Sequence, residues 1–348
     1  MMPPLRVGVM GCGYWGPNLV RNFARHPEVK VEAVCDRELK RAERTGAEYR
    51  VPTVTDRPEK LFADRSLDLV VVATPTATHY DLTRAALESG KHALVMKPLT
   101  SSGEQAEELA ALAAKRGVLL AVDHTFVFTG AVRKMKELVS SGALGELYYF
   151  DSVRVNLGLF QSDINVIWDL APHDISILDY LVGGEPEEIL AVGVAHGQSP
   201  TENIAYITIR YPNSFLAHVH VNWLAPAKVR QLILGGSRKM VVYDDVQPSE
   251  KVKVYDKGVS FQNGGDGDDP YKFMVSYRAG DMVAPQLDAK EALAVEVENI
   301  VRAVRGKEPL VADGAAGVRV VRLLEAAQRS IAEGGAPLRL AQAVGSRA

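Results

Sequence analysis

Cysteine is scarce in this chain of 348 residues, which contains Cys12 and Cys35 and no others. Two thiols cannot build a disulfide framework or a cysteine-rich metal site, and such a composition is typical of a reducing compartment. The sequence also lacks an apolar run of membrane-spanning length. The segment Met1–Arg6 lacks the apolar stretch of a signal peptide, so a cytoplasmic location is expected.

An excess of charge of either sign is also missing. The 40 lysine and arginine residues nearly balance the 43 aspartate and glutamate residues, which gives a formal net charge of −3. A chain of this kind has no electrostatic reason to bind nucleic acid or an anionic membrane surface. Because 47% of its residues are hydrophobic and 24% are charged, the composition is instead that of a globular protein with a large core.

The first third of the chain predicts a dinucleotide-binding Rossmann domain over residues 1–123. Apolar strand patterns alternate there with helical patterns, beginning with the strand Leu5–Met10. The run Leu67–Ala73 is apolar throughout, as expected for a strand that is covered on both faces. Strands that alternate with helices form a parallel, doubly wound sheet with right-handed crossovers. The fold class is therefore expected to be α/β.

The pattern changes after residue 123, and residues 124–348 are predicted to form an α+β domain. Successive strand patterns between residues 188 and 243 are separated by turn residues, which predicts a large, mostly antiparallel sheet. Helices are expected at Val127–Ser140 and at Pro172–Leu181, where the proline begins the helix. The segment Asn263–Pro270 has the composition of a mobile loop, and its spacing lacks the closing glutamate of a calcium loop.

A glycine-rich segment, Gly11-Cys12-Gly13-Tyr14-Trp15-Gly16, follows the first predicted strand and precedes a helix. In this context the spacing predicts a dinucleotide-binding loop, because its glycines permit a tight turn and the close approach of a pyrophosphate. The N-terminus of the following helix offers N–H groups to the phosphates. Asp36 ends the second strand, where a carboxylate can bind both ribose hydroxyls and favours NAD. Arg37 leaves NADP open, since a guanidinium can meet a 2′-phosphate.

Further positions carry groups suited to proton transfer. Thr74–His79 follows the fourth strand and Lys97 the fifth, at the strand ends where ligands collect in such sheets. A lysine there points into the cleft or caps the strand end at the surface. Asp169 and His173 are four residues apart and share one helical face, so the carboxylate can orient the imidazole. The alternative is a helix-capping aspartate near an unrelated histidine. The sequence singles out no third metal ligand, so no metal site is predicted.

Taken together, these motifs resemble the Gfo/Idh/MocA oxidoreductase family over essentially the whole chain. The resemblance rests on the glycine loop, on Ala73–His79, on Lys97-Pro98-Leu99 and on Asp169 with His173, in the family's order. It implies a nicotinamide cofactor and hydride transfer. One position departs from the family pattern: Met96 precedes the lysine where the family usually has a glutamate that helps to position it.

Several segments look like those of the family branch that acts on nucleotide sugars. These segments are Tyr14–Asn18, His124–Phe126, Asn156–Gly158 and Trp168–Asp174. Members of that branch oxidise carbon 3 of UDP-N-acetylglucosamine or of its uronic acid. The resemblance therefore implies an NAD(P)-dependent sugar dehydrogenase whose substrate is a UDP-N-acetylhexosamine or its uronic acid.

The resemblance also implies roles for individual residues. His173 takes the hydroxyl proton, Lys97 stabilises the developing alkoxide, and Asp169 orients the pair. The cofactor is expected to contact the glycine loop and the strand ends, namely Gly11, Gly13, Tyr14, Trp15, Gly16, Asp36, Arg37, Thr74, Pro75, Thr76, His79 and Lys97. The substrate is expected to contact Lys97, His124, Arg154, Asn156, Trp168 and His173. Family members commonly pair through the open face of the second domain's sheet, which implies a homodimer or homotetramer.

Alternatives stay open for Arg154 and for the function. Arg154 is a candidate to bind a pyrophosphate or a carboxylate, or else it is a strand residue in a salt bridge. A dehydrogenase of a free cyclitol or monosaccharide is a second function. A non-catalytic dinucleotide sensor is a third, which Lys97, Asp169 and His173 disfavour and Met96 keeps open.

Overall fold

The computed structural model describes residues 3–158, 164–262 and 274–340. The helices are α1 Gly16–Arg25, α2 Leu39–Tyr49, α3 Glu59–Ala63, α4 His79–Glu88, α5 Gly103–Arg116, α6 Gly130–Ser140, α7 Val166–Val182, α8 Ala292–Val304 and α9 Gly314–Ala332. The strands are β1 Leu5–Met10, β2 Val29–Cys35, β3 Thr53–Thr55, β4 Leu69–Val72, β5 His92–Met96, β6 Leu120–Asp123, β7 Leu147–Leu157, β8 Glu188–Val194, β9 Ile204–Arg210, β10 Leu216–Asn222, β11 Leu224–Gly236, β12 Met240–Asp244, β13 Val252–Tyr255, β14 Gly258–Gln262, β15 Met274–Arg278, β16 Met282–Val283 and β17 Leu338–Arg339.

Six parallel strands form the first sheet, in the order β3-β2-β1-β4-β5-β6. This is the strand order of the doubly wound dinucleotide-binding fold, in which ligands bind outside the carboxyl ends of the strands where the order reverses. That reversal lies at β1 and β4. β4 is buried along its whole length, as its continuous apolar sequence predicts. The expected α/β fold class is confirmed.

A larger sheet has the order β16-β13-β12-β11-β7-β10-β9-β8-β17. β10 runs parallel to β7, and the other neighbouring pairs are antiparallel, which confirms the mostly antiparallel sheet. Alternate residues of β9 and β10 are buried on the face that α7 covers, such as Ile207 and Val219. The opposite face carries Tyr206 and His220, whose stacked ring centroids are 4.4 Å apart. β14 and β15 form a separate two-stranded sheet.

The chain divides into two compact units. The first consists of Met1–Thr129 and Ala289–Glu325, and the second of Gly130–Asp288 and Ala326–Ala348. A division at residue 123 places residues 289–325 in the second domain, whereas the structure packs them with the first unit. The physical reason lies in α8, whose apolar face completes the core of the first unit.

α8 joins that core through buried aliphatic side chains. Leu293, Val297 and Ile300 pack in one cluster with Val9 of β1 and Leu19 of α1. Burial of each such side chain stabilises the fold by about 1.5–3 kcal/mol relative to its exposure to water. Local periodicity shows that this helix has an apolar face but does not show which sheet covers it.

Two predicted helix boundaries are wrong. α7 begins at Val166 and not at Pro172, because Asn165 caps it: its Oδ1 accepts hydrogen bonds from the backbone N–H groups of Ile167 and Trp168, both at 3.1 Å. Pro172 therefore lies inside the helix.

The predicted helix Val127–Ser140 is divided into a 3-10 turn over Thr125–Phe128 and α6. Thr129 is extended between them, and its hydroxyl donates to the carbonyl of Phe126 at 2.8 Å. Asn263–Pro270, the predicted mobile loop, lies outside the described residues. In the parts of the chain that the structure describes, no helix combines the length and apolar character needed to cross a membrane.

Candidate functional site

The glycine loop has the shape that its sequence predicts. Gly11 has a φ of +93°, and a Cβ atom there would overlap the carbonyl oxygen of Ala73. A Cβ atom on Gly16 would overlap the carbonyl oxygen of Gly11, so the first turn of α1 can lie against the loop. At Gly13 a Cβ atom would meet nothing nearer than Nη1 of Arg41 at 3.9 Å. The loop backbone therefore leaves room at Gly13 for a ligand to approach.

A cavity of about 620 Å³ opens beside this loop, at the carboxyl ends of β1, β2 and β4. Its lining includes many of the residues predicted to bind the cofactor, namely Gly11, Gly13, Tyr14, Trp15, Asp36, Arg37, Thr74 and Pro75. Arg41 and Asp56 also line it and were not predicted. The volume is typical of a pocket for a small molecule or cofactor. The first unit thus brings most of the predicted cofactor residues together.

Asp36 is held at the end of β2 by backbone donors. Its Oδ2 accepts a hydrogen bond from the N–H of Cys12 at 2.7 Å, and its Oδ1 accepts one from the N–H of Glu38 at 2.8 Å. Each carboxylate oxygen can accept a further hydrogen bond. The side chain is therefore fixed to the glycine loop and still able to bind hydroxyl groups in the cavity, which is the chemistry that an adenosine ribose requires.

His79 joins the loop after β4 to the loop after β5. One ring nitrogen contacts the carbonyl oxygen of Thr74 and the other that of Pro98, each at 2.8 Å. The ring is buried, and burial lowers the pKa of His79 despite these contacts. Thr76 lies in the 3-10 turn that leads into this histidine. The structure therefore shows His79 supporting the loop that carries Thr74 and Pro75.

Lys97 and His124 follow the ends of the neighbouring strands β5 and β6. The peptide bond between Lys97 and Pro98 is cis. The His124 side chain is buried, and neither ring nitrogen has a hydrogen-bond partner among the residues that the structure describes. Burial, together with a smaller effect of the positive charges of Lys97 and Arg319, lowers the pKa of His124 to about 3. His124 is therefore a neutral imidazole near two cations.

The predicted residues of the second unit lie on α7 and β7. Asp169 and His173 are one turn apart on α7, as predicted, and both are partly buried. Oδ2 of Asp169 accepts a hydrogen bond from the indole Nε1 of the buried Trp223 at 3.0 Å. Sequence reasoning missed this partner, because Trp223 follows a different strand, more than fifty residues further along the chain.

Arg154 forms a buried ion pair with Asp174, the residue after His173. Its Nε and Nη2 atoms donate to the two carboxylate oxygens at 2.7 and 2.9 Å. Burial alone would lower the pKa of Arg154, but the charge and hydrogen bonds of Asp174 raise it overall. The guanidinium thus anchors α7 to β7.

The other predicted substrate residues are partly buried. Nδ2 of Asn156 donates to the carbonyl of Leu157 at 3.1 Å, and Trp168 lies in the first turn of α7. The described parts of the chain contain no group of three histidine, cysteine, aspartate or glutamate side chains placed to hold a metal ion.

Comparisons with known proteins match both parts of the chain. The family described as "Oxidoreductase family, NAD-binding Rossmann fold" matches residues 5–124, and the "GFO/IDH/MocA C-terminal domain" matches residues 132–242. The UDP-N-acetylglucosamine 3-dehydrogenase of Acidithiobacillus ferrooxidans is 27% identical and covers 91% of this chain and 94% of that protein. A solved structure of that enzyme has a TM-score of 0.79 at 25% identity, covering 95% of this chain and 100% of the other. The scyllo-inositol 2-dehydrogenase (NADP(+)) IolW of Bacillus subtilis is 24% identical and covers 94% of both chains.

Proposed function

The chain belongs to the GFO/IDH/MocA family of NAD-binding oxidoreductases, and on that premise we propose that it transfers a hydride between a hydroxyl-bearing sugar carbon and a nicotinamide ring. The observation that carries this proposal is the cavity beside the glycine loop, with Asp36 fixed at its wall. Lys97 follows the neighbouring strand β5, at the same edge of the sheet where ligands bind in this fold.

The residues around the cavity fit a dinucleotide. When bound, the nicotinamide supplies the hydride acceptor or donor. The N-terminus of α1 and the open backbone at Gly13 suit the pyrophosphate, and Asp36 suits the hydroxyls of the adenosine ribose. This arrangement favours NAD. Arg37 and Arg41 line the same cavity, so NADP is the second candidate.

In this proposal the proton is handled by side chains of the protein. His173 accepts the hydroxyl proton at a ring nitrogen, and the ammonium group of Lys97 stabilises the oxygen as it gains negative charge. The sugar carbon loses a hydride to the cofactor and a carbonyl forms, so the step releases one proton. Asp169, fixed by Trp223 one turn before His173, is a positioning residue for that turn of α7.

Replacing these groups tests the proposal. Lys97→Met and His173→Ala should each lower kcat by about 10²- to 10⁴-fold, with NAD binding retained in calorimetric titrations. The double variant should lose much less than the product of the two single losses, because the residues act in one step. Lys115→Met, at the exposed end of α5, is the matched control and should leave kcat unchanged. A fully active Lys97→Met enzyme would contradict the role of Lys97. NAD binding without turnover on any sugar would favour the sensor function.

For the substrate we propose a UDP-N-acetylhexosamine or its uronic acid, oxidised at carbon 3. Support comes from the relative of that activity, which covers 91% of this chain, and from the sequence segments shared with the nucleotide-sugar branch. A nucleotide is a remote handle whose binding energy can position the sugar carbon for hydride transfer. In this proposal Arg154 acts indirectly: its hydrogen bonds to Asp174 hold the turn of α7 that carries His173.

We also propose that two or four chains associate through the open face of the larger sheet. Support comes from large apolar side chains that are exposed on the edge and open face of that sheet, including Val192, Tyr206 and Leu216. Exposed apolar surface of this kind is typical of a protein–protein contact. Light scattering should therefore give a mass of two or four times 37.8 kDa, and the mass of a single chain would contradict the assembly.

A further inference from the structure

Two acidic side chains are buried side by side in the first unit, and the proposed hydride transfer uses neither of them. Asp123 is the last residue of β6 and is 0% exposed, and Glu296 lies in the middle of α8 and is 1% exposed. We call these two residues the acid pair. Isolated carboxylates are very unfavourable in an apolar interior, so a buried pair of them requires a physical explanation.

Hydrogen-bond donors surround only one member of the acid pair. Oδ2 of Asp123 accepts a hydrogen bond from the indole Nε1 of Trp15 at 3.0 Å, and its Oδ1 accepts one from the hydroxyl of Thr125. Within the described ranges, neither carboxyl oxygen of Glu296 accepts a hydrogen bond from a donor group. The carboxylate is therefore best stabilised on Asp123, and the proton is best kept on Glu296.

The two groups cannot both be ionised without strong repulsion. Burial raises the pKa of Glu296 well above its usual value, and the charge of Asp123 raises it further. Burial also raises the pKa of Asp123, against the hydrogen bonds from Thr125 and Trp15 that lower it. Two adjacent carboxyl groups in a site of low polarity share one proton for this reason. The acid pair therefore carries one proton and one negative charge.

The acid pair is connected to the glycine loop through Trp15. Trp15 is the residue before Gly16, at the N-terminal boundary of α1, and its side chain lines the cavity. Its indole N–H donates to Asp123, and the side chains of Asp123 and Glu296 interact with each other. A chain of contacts thus connects α8 to the loop that is suited to the pyrophosphate. Each link lies within the first unit.

We propose that Asp123 and Glu296 are positioning residues for the cofactor loop, and that the single proton they share holds the indole of Trp15 in the place that NAD binding requires. With the proton present, Glu296 is neutral and Asp123 keeps its hydrogen bond to Trp15. When the proton is lost, the two carboxylates repel each other, and Asp123 withdraws from the indole. The loop then loses its fixed conformation, and NAD binds more weakly.

The charges on neighbouring elements do not replace this interaction. Charged side chains near α8 and β6 include Arg21 with its partner Glu291, Glu298 with its partners Arg302 and His26, and the cations Lys97 and Arg319 that act on His124. Of these acids, Glu291 and Glu298 already have cationic partners. The two cations act on His124, the residue after Asp123.

Calorimetric titration of NAD from about pH 6.5 to about pH 9.5 tests the proposal without any substrate. The dissociation constant of the wild type should rise about fivefold or more towards the alkaline end. Glu296→Gln retains a donor towards Asp123 but cannot ionise, so its dissociation constant should stay level. Glu291→Gln, an acid at the start of the same helix, should behave like the wild type. Equal pH profiles for the wild type and Glu296→Gln would overturn the proposal.

A second comparison tests whether the effect passes through Trp15. Trp15→Phe removes the N–H donor, so in that background Glu296→Gln should no longer alter the pH profile of NAD binding. A pH difference that persisted in the Trp15→Phe background would show that the acid pair does not act through the loop. Circular dichroism of each variant establishes that it is folded before its titration is read.

Discussion

Both units bury a pair of ionisable side chains, but the two pairs are opposite in kind. Arg154 and Asp174 of the second unit carry opposite charges and are joined by hydrogen bonds of 2.7 and 2.9 Å. Asp123 and Glu296 of the first unit are both acids and share a proton. The pair of Arg154 and Asp174 needs no shared proton to be stable, whereas the acid pair does. The opposite-charge pair can therefore hold two elements together at any ordinary pH, and the acid pair responds to pH.

The comparison also separates two effects on stability. A buried ion pair of good geometry nearly offsets the desolvation of its charges, so removal of one partner is far more harmful than replacement of both. An acid that must stay protonated in the folded state lowers stability at neutral pH, because the unfolded chain is free to ionise. Variants of the two pairs should thus change stability in opposite directions.

Arg154→Met should have the largest effect, because it leaves Asp174 buried without its partner. The free energy of unfolding, measured in urea at neutral pH, should fall by about 3–5 kcal/mol. The double variant Arg154→Met/Asp174→Leu should recover most of that loss. A loss below about 1 kcal/mol in the single variant would place this pair with ordinary surface salt bridges.

Glu296→Gln should stabilise the protein, by an amount that grows with pH. Glu296 has a raised pKa in the folded state, so the wild type loses stability relative to the variant as pH rises above the usual glutamate value of 4.5. The difference should increase by about 1.4 kcal/mol per pH unit for as long as Glu296 keeps its proton in the folded state. Urea unfolding at several pH values measures it. A variant that is less stable than the wild type at neutral pH would show that the acid pair is a structural contact and not a retained proton.

The smallest effect is expected for Asp36→Ala, and it is an effect on cofactor binding. Asp36 is a third acidic residue, and it lines the cavity. Loss of its hydrogen bonds to the ribose should weaken NAD binding about tenfold, which corresponds to about 1.4 kcal/mol, near the lower end of the range for a hydrogen bond to a charged group. NADP binding should change less, because its 2′-phosphate does not gain from a carboxylate. Parallel titrations with the two dinucleotides provide the measurement. Equal weakening of NAD binding and NADP binding would show that Asp36 does not bind the ribose.

The sequence predicts features that depend on neighbouring residues better than contacts between distant segments. The spacing of the glycine loop, the place of Asp36 at a strand end, and the shared helical face of Asp169 and His173 are all short-range features. The hydrogen bond between Trp223 and Asp169 and the burial of Glu296 depend on packing between distant segments. Periodicity cannot show which elements pack together.

Two usable signals were nevertheless present. Asp123 ends the apolar strand β6 at the same sheet edge as Asp36, which marks it as a site residue by the same rule. Asn165 stands directly before an apolar run, which is the pattern of a helix N-cap and would have placed the start of α7 correctly. The prediction of a helix start at Pro172 rests on the preference of proline for the first helical turn. α7 instead holds Pro172 in its interior, where proline has no N–H to donate to the helix.

We propose that this oxidoreductase acts on a nucleotide sugar, and NADH formation measures that activity most directly. The purified enzyme is given NAD with UDP-N-acetylglucosamine, with its uronic acid, with free glucose and N-acetylglucosamine, and with myo-inositol. We expect a UDP-linked sugar to give the highest kcat/KM, and we expect His173→Ala to abolish most of that rate. A much higher kcat/KM for free glucose or myo-inositol than for every nucleotide sugar would contradict this proposal and favour the monosaccharide or cyclitol dehydrogenase.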